Sequence, residues 1–149
     1  MAFIYEFEYT IHSVIDNLTD EGLVTGEPEI SITTVDGFMK LFGDEIIINY
    51  TEAVEGDKVF TELCAGDGAV TLVRHGALES TLVFRVGEPY KTVYTAAGYS
   101  FDMLLTTKKI RSTLSKMGGE LQLIYTMNVG GAAKSARMKI TARPKGRQR

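Results

Sequence analysis

The chain has 149 residues, a formal net charge of −3 and a single cysteine. That length suits one domain of roughly 100–200 residues, large enough to bury a core without a disulfide or a metal. One cysteine excludes a disulfide scaffold, the small charge excludes a protein that is basic all over, and no stretch of about 18 apolar residues is present to form a membrane-spanning helix.

The residue mix favours strands. Thr (16), Val (11), Ile (11), Tyr (7) and Phe (7) pack well on pleated surfaces, and with only 3 prolines the ladders are rarely broken. A first strand is expected over 3–14, where Phe3, Tyr5, Phe7, Tyr9 and Ile11 alternate with Glu6, Glu8 and Thr10. Its acids, and the lack of a basic stretch before them, argue against a signal peptide, so a cytoplasmic protein is expected. Asp16–Glu27 is polar and punctuated by glycine; it reads as the longest loop, with room for a short helical turn. Strands are then expected at 28–36, 38–42, 45–54, 58–65, 69–75, 78–86, 89–97, 99–110, 111–117, 120–129 and 132–142, some merging across Gly37 and near Lys109. Gly43-Asp44, Gly56-Asp57 and Asp67-Gly68 signal two-residue hairpins. From Gly56 to Gly98 the glycines recur every 10 or 11 residues, the turn spacing of a sandwich or barrel.

Short links make neighbours in sequence neighbours in space, and a long meander must close to protect its edges. Glu6 and Glu8 on the first strand face the charge type of Arg137 and Lys139 on the last, which favours closure. The expected fold is all-β: one antiparallel up-and-down barrel of about 8–10 strands. It spans residues 1–142, and a basic, flexible tail follows over 143–149.

The charge is divided along the chain. Residues 1–107 carry a balance of −13 and residues 108–149 a balance of +10. In a meander, a division along the chain becomes a division around the barrel wall. Lys108, Lys109 and Arg111, with Arg143, Lys145, Arg147 and Arg149 in the tail, are candidates for a basic surface.

One stretch is distinctive: Gly68-Ala69-Val70-Thr71-Leu72-Val73-Arg74-His75-Gly76, then Leu82-Val83-Phe84, Gly87, Tyr94, Gly98 and Gly119-Glu120-Leu121-Gln122-Leu123-Ile124-Tyr125. With the hairpin Phe38–Glu52, this pattern resembles the YwiB-like family of bacterial proteins, from about Gly37 to Ala142. The resemblance implies a lipocalin-like (calycin) barrel with room for a small apolar molecule inside. It implies no catalytic residues.

The residues themselves point the same way. His12 and His75 lack metal-ligand spacing, and neither Gly-x-Ser-x-Gly nor a Walker loop is present, so no enzyme, cofactor or metal is expected. Cys64 reads as a small buried hydrophobe. Arg74 shares parity with Val70 and Leu72, and Glu52 with Ile48 and Tyr50, which turns both charged residues inward. Three roles remain open for Arg74. It pairs with Glu52 or Glu79, it anchors an anionic head group, or it reaches the rim near Gly76. Tyr50, Tyr94 and Tyr125, together with Tyr90 and Tyr99, fall on strands and either line a cavity or fill the barrel. Met39, Met103, Met117, Met127 and Met138 read as core or filler. Two functions follow. One is non-catalytic binding of a small apolar or amphipathic anion by Arg74, Glu52, Tyr50, Tyr94 and Tyr125. The other is a surface module whose basic face and tail meet an acidic protein, RNA or a second copy.

Overall fold

The computed structural model describes residues 3–145. Ten strands run in chain order: β1 (Phe3–Leu18), β2 (Val24–Phe42), β3 (Glu45–Val54), β4 (Asp57–Gly66), β5 (Ala69–Gly76), β6 (Leu78–Phe84), β7 (Pro89–Ala96), β8 (Tyr99–Ser112), β9 (Gly119–Val129) and β10 (Ala132–Pro144). Each pairs antiparallel with its sequence neighbours, and β1 pairs with β10, so the meander closes into a barrel. Among the described residues no helix is long and apolar enough to cross a membrane.

The alternation read from the sequence is the alternation of the wall. Phe7, Tyr9 and Ile11 of β1, Leu121, Leu123 and Tyr125 of β9, and Ala136, Met138 and Ile140 of β10 all face inward and are buried. The expected strands 28–36 and 38–42 merge across Gly37 into β2. Those at 99–110 and 111–117 merge only as far as Ser112; residues 113–118 form a turn in which Met117 is exposed, not core. The expected loop Asp16–Glu27 is instead a hairpin, since β1 runs to Leu18 and β2 starts at Val24. The β3–β4 turn is Glu55-Gly56, one residue earlier than expected, with both residues at positive φ as a tight right-twisted hairpin requires.

Closure also uses other charges than expected. Glu8 lies opposite Arg143 and pairs with it at 3.8 Å, whereas Lys139 and Arg137 lie opposite His12 and Val14.

Two seams loosen the wall. β2 pairs with β3 only from Gly37 to Phe42, leaving residues 24–36 bonded to β1 alone. β6 pairs with β7 at only two positions, Leu78 and Glu79. Glu27, Pro28 and Glu29 sit on the open stretch of β2, residue types that discourage a second strand from adding there.

Gly37 marks where β2 leaves β3. A Cβ built there would stand 2.2 Å from the Asn49 carbonyl oxygen and 3.1 Å from the Tyr9 ring. Gly37→Val is therefore expected to lower stability by about 3 kcal/mol through overpacking. Urea unfolding measures it, and a variant as stable as the parent would show that β2 has room to shift.

Candidate ligand cavity

The barrel interior is divided along its length. Near the β2–β3 and β4–β5 turns it is solid, filled by Phe7, Tyr9, Met39, Ile48, Leu63, Leu72 and Phe84. Phe7 stacks on Tyr9 at 5.9 Å, and Phe84 meets Tyr125 edge-on at 4.9 Å. Toward the opposite end, where β1 turns into β2 and β9 into β10, the filling stops. A cavity of about 330 Å³ opens there, lined by inward residues of every strand but β4. Filling and cavity, the two alternatives for the tyrosines, thus occupy different halves of one barrel.

Arg74, Glu52, Tyr94 and Tyr125 all line this cavity. Tyr50 is buried beside it, on the same inner face as Glu52. Tyr99 does not join them and is 70% exposed on the outside. Met103, Met127 and Met138 supply apolar lining, and Glu29 and Lys134 bring further charge nearer the turns. The Lys134 ammonium donates to Asn17 Oδ1 at 2.6 Å.

A polar row crosses the inner wall and meets the cavity at Arg74. Tyr50 of β3, Thr61 of β4, Arg74 of β5 and Ser80 of β6 stand directly opposite one another in register. The hydroxyls of Tyr50, Thr61 and Ser80 are buried without a hydrogen bond of full geometry, while Thr61 and Arg74 lie near enough to Tyr50 to oppose the rise of its pKa. Buried hydroxyls are normally satisfied, so three orphans beside one guanidinium is an unusual concentration. Thr61 and Ser80 were not singled out from the sequence, although each shares the parity of apolar neighbours on its strand: Val59 and Leu63 around Thr61, Leu82 and Phe84 after Ser80.

Arg74 makes no ion pair among the described residues. Neither expected partner takes it. Glu79 instead accepts the Gly76 N–H at 2.9 Å and bonds His75 Nδ1 at 3.1 Å, and these two contacts, the backbone one first, hold its carboxyl below the usual range. The Arg74 charge is felt by the tyrosines. Burial raises Tyr50 to about 12 and raises Tyr94 and Tyr125 as well, and at all three the guanidinium opposes the shift. All three phenols are therefore neutral at physiological pH and offer O–H groups around a single unpaired cation.

The other candidates lie elsewhere. Lys108, Lys109 and Arg111 are exposed on the outer face of β8. Arg143 is bound to Glu8, and Lys145 to Asp36 at 2.9 Å, a contact that raises the lysine pKa. Arg147 and Arg149 lie outside the described residues. Cys64 is half-buried rather than fully buried; its thiol donates to Glu45 Oε2 at 2.9 Å, and burial first, then that carboxylate, push its pKa up to about 11. Such a thiol is a poor nucleophile.

Comparisons with known proteins agree with this architecture. A family model described as Domain of unknown function (DUF1934) matches residues 19–141. The "Uncharacterized beta-barrel protein YwiB" of Bacillus subtilis (strain 168) is 26% identical over 105 residues, which cover 70% of this chain and 74% of the relative. The crystal structure of the ywiB protein from Bacillus subtilis superposes with a TM-score of 0.81 at 24% identity, covering 96% of this chain and 94% of that one. That likeness shows a shared barrel fold.

Proposed function

The chain belongs to the DUF1934 family, and on that premise we propose that it is a non-catalytic binding protein that holds a small amphipathic anion inside the barrel. The observation that carries the reading is Arg74, which lines the cavity without an ion pair among the described residues and stands in register with the buried hydroxyl residues Tyr50, Thr61 and Ser80 behind the lining. An oxyanion seated in the cavity accepts from the Arg74 guanidinium, with the Tyr94 and Tyr125 side chains in the same lining. The apolar body then lies along Leu82, Met103, Met127 and Val129. A cavity of about 330 Å³ falls at the small end of the range for ligand sites. The lining is mostly apolar, with Arg74, Glu52, Tyr94 and Tyr125 among its polar groups, which supports binding as the reading. Small apolar ligands in calycin barrels support the reading by analogy of fold alone.

Two fluorescent probes with one aromatic body separate the terms. Anilinonaphthalene sulfonate carries an anion, and N-phenylnaphthylamine does not. The sulfonate is expected to bind at least ~10-fold tighter, which corresponds to about 1.4 kcal/mol for the head group. Equal affinities, or no binding of either probe, would overturn the proposal. Native mass spectrometry of the purified protein then looks for a co-purified anion.

A further inference from the structure

The outer wall carries a second feature, independent of the cavity. β8 contains a β-bulge between Thr107 and Lys109. Before it, Met103, Leu105 and Thr107 are buried on the inner face. With unbroken alternation Lys109 and Arg111 would share that face. The extra residue, Lys108, shifts the phase, so that Lys109 lies opposite Ile124 and Arg111 opposite Gln122, both on the outside.

The neighbouring strands complete the pattern. Arg111, Gln122, Lys139 and His12 stand in one cross-strand row over β8, β9, β10 and β1. Lys109, Ile124, Arg137 and Val14 stand in the next. Four cations thus mark the corners of a grid. Its sides are roughly 7 Å along the strands and roughly 10 Å across them. Lys108 adds a fifth charge at the bulge. None of the five makes an ion pair among the described residues. A shallow groove of about 200 Å³ runs between the two rows. The nearest acids on these strands, Glu120 and Asp16, border the face at its two ends.

We propose that this face of β8, β9, β10 and β1 binds the phosphodiester backbone of a nucleic-acid duplex without regard to sequence. An array of unpaired cations in fixed register is the chemistry that releases counterions from a polyanion. The grid holds no Phe, Tyr or Trp on which bases of a single strand could stack, so it reads a backbone and not bases. Exposed Ile32 and Ile30 of β2 continue the two rows beyond His12 and Val14, so an anionic lipid surface is the rival partner, and anionic vesicles that bind more tightly than duplex at equal charge would overturn the proposal. A second copy is the other rival, because Glu55, Asp57 and Glu62 of the far wall make no ion pair among the described residues, and self-association lost in the same variants in place of duplex binding would overturn the proposal.

The test is fluorescence anisotropy of labelled RNA and DNA duplexes against salt. Neutralising four phosphates gives a slope of log K against log salt of about −3.6. Lys109→Gln, Arg111→Gln, Arg137→Gln and Lys139→Gln are each expected to reduce that slope by about 1 and to weaken all duplex sequences alike. Lys58→Gln, on the far wall, is expected to change nothing, and each of these variants is expected to keep the sulfonate-probe affinity, which separates this surface from the cavity. A slope near zero, a quadruple variant that melts like the parent and still binds, or polyglutamate that binds as tightly as duplex at equal charge would overturn the proposal. Should the quadruple variant fail to fold, the four single variants carry the test.

Discussion

Between pH 10 and pH 12 the protein is expected to lose its fold in one cooperative step. Tyrosine in an unfolded chain ionises near 10. In the barrel Tyr50 is held at about 12, and burial raises Tyr9 further, with Tyr94 and Tyr125 shifted the same way. A raised folded pKa means that the native state keeps a proton the unfolded state gives up. Its stabilisation is whole below pH 10 and drains away as the pH climbs through the folded values. For Tyr50 the two-unit difference amounts to roughly 3 kcal/mol. Tyr9 adds a second cost, because ionisation removes the proton that its hydroxyl donates to the Phe38 carbonyl at 2.8 Å. The sum approaches the total stability of an ordinary domain, about 5–15 kcal/mol. Phenolate absorbance and circular dichroism followed together measure the transition. The buried phenols are expected to ionise together with the loss of strand signal. Tyr50→Phe and Tyr9→Phe are each expected to move the midpoint upward. A barrel intact at pH 12 with every tyrosine ionised would refute the account.

Which side of the wall a residue faces was legible in the sequence, because a half-buried strand writes burial as alternation. That is how Arg74 and Glu52 could be turned inward without any knowledge of their neighbours. The β1–β2 hairpin carried no such signal. From Asp20 to Ile32 every residue is exposed, so both faces meet water and a strand there looks like a polar loop. The bulge at Lys108 was silent for a different reason. Phase changes in a strand depend on pairing with the next strand, and the local pattern around Lys109 allowed either a merged strand or a break. Alternation gives side but not depth. It could not say that filling ends above Phe84 and Tyr125, nor that Glu79 would be taken by His75, leaving Arg74 with no ion pair among the described residues. The row of Tyr50, Thr61, Arg74 and Ser80 required the register of four strands, and only one of its three hydroxyls was among the candidates.

Arg74→Leu is expected to stabilise the protein while removing its anion affinity. The two effects have one cause. A half-buried guanidinium with no ion-pair partner among the described residues has given up part of its water without full repayment, and an apolar residue of similar reach relieves that cost. The gain expected in urea unfolding is about 1–2 kcal/mol. The loss falls on the charged probe. Hydrogen bonds to a charged group contribute about 1.5–3 kcal/mol, so the sulfonate probe is expected to bind ~10–100-fold more weakly. The neutral probe, which does not need the cation, is expected to keep its affinity or gain slightly. A structural role for Arg74 makes the opposite forecast: the leucine variant would be less stable, and both probes would weaken together as the cavity deformed. Arg74→Lys sharpens the contrast. It keeps the charge but gives up the planar fork, so it is expected to retain part of the sulfonate affinity with no gain in stability. A gain in stability together with a loss of sulfonate affinity in Arg74→Leu would mark Arg74 as a residue kept for a ligand rather than for the fold.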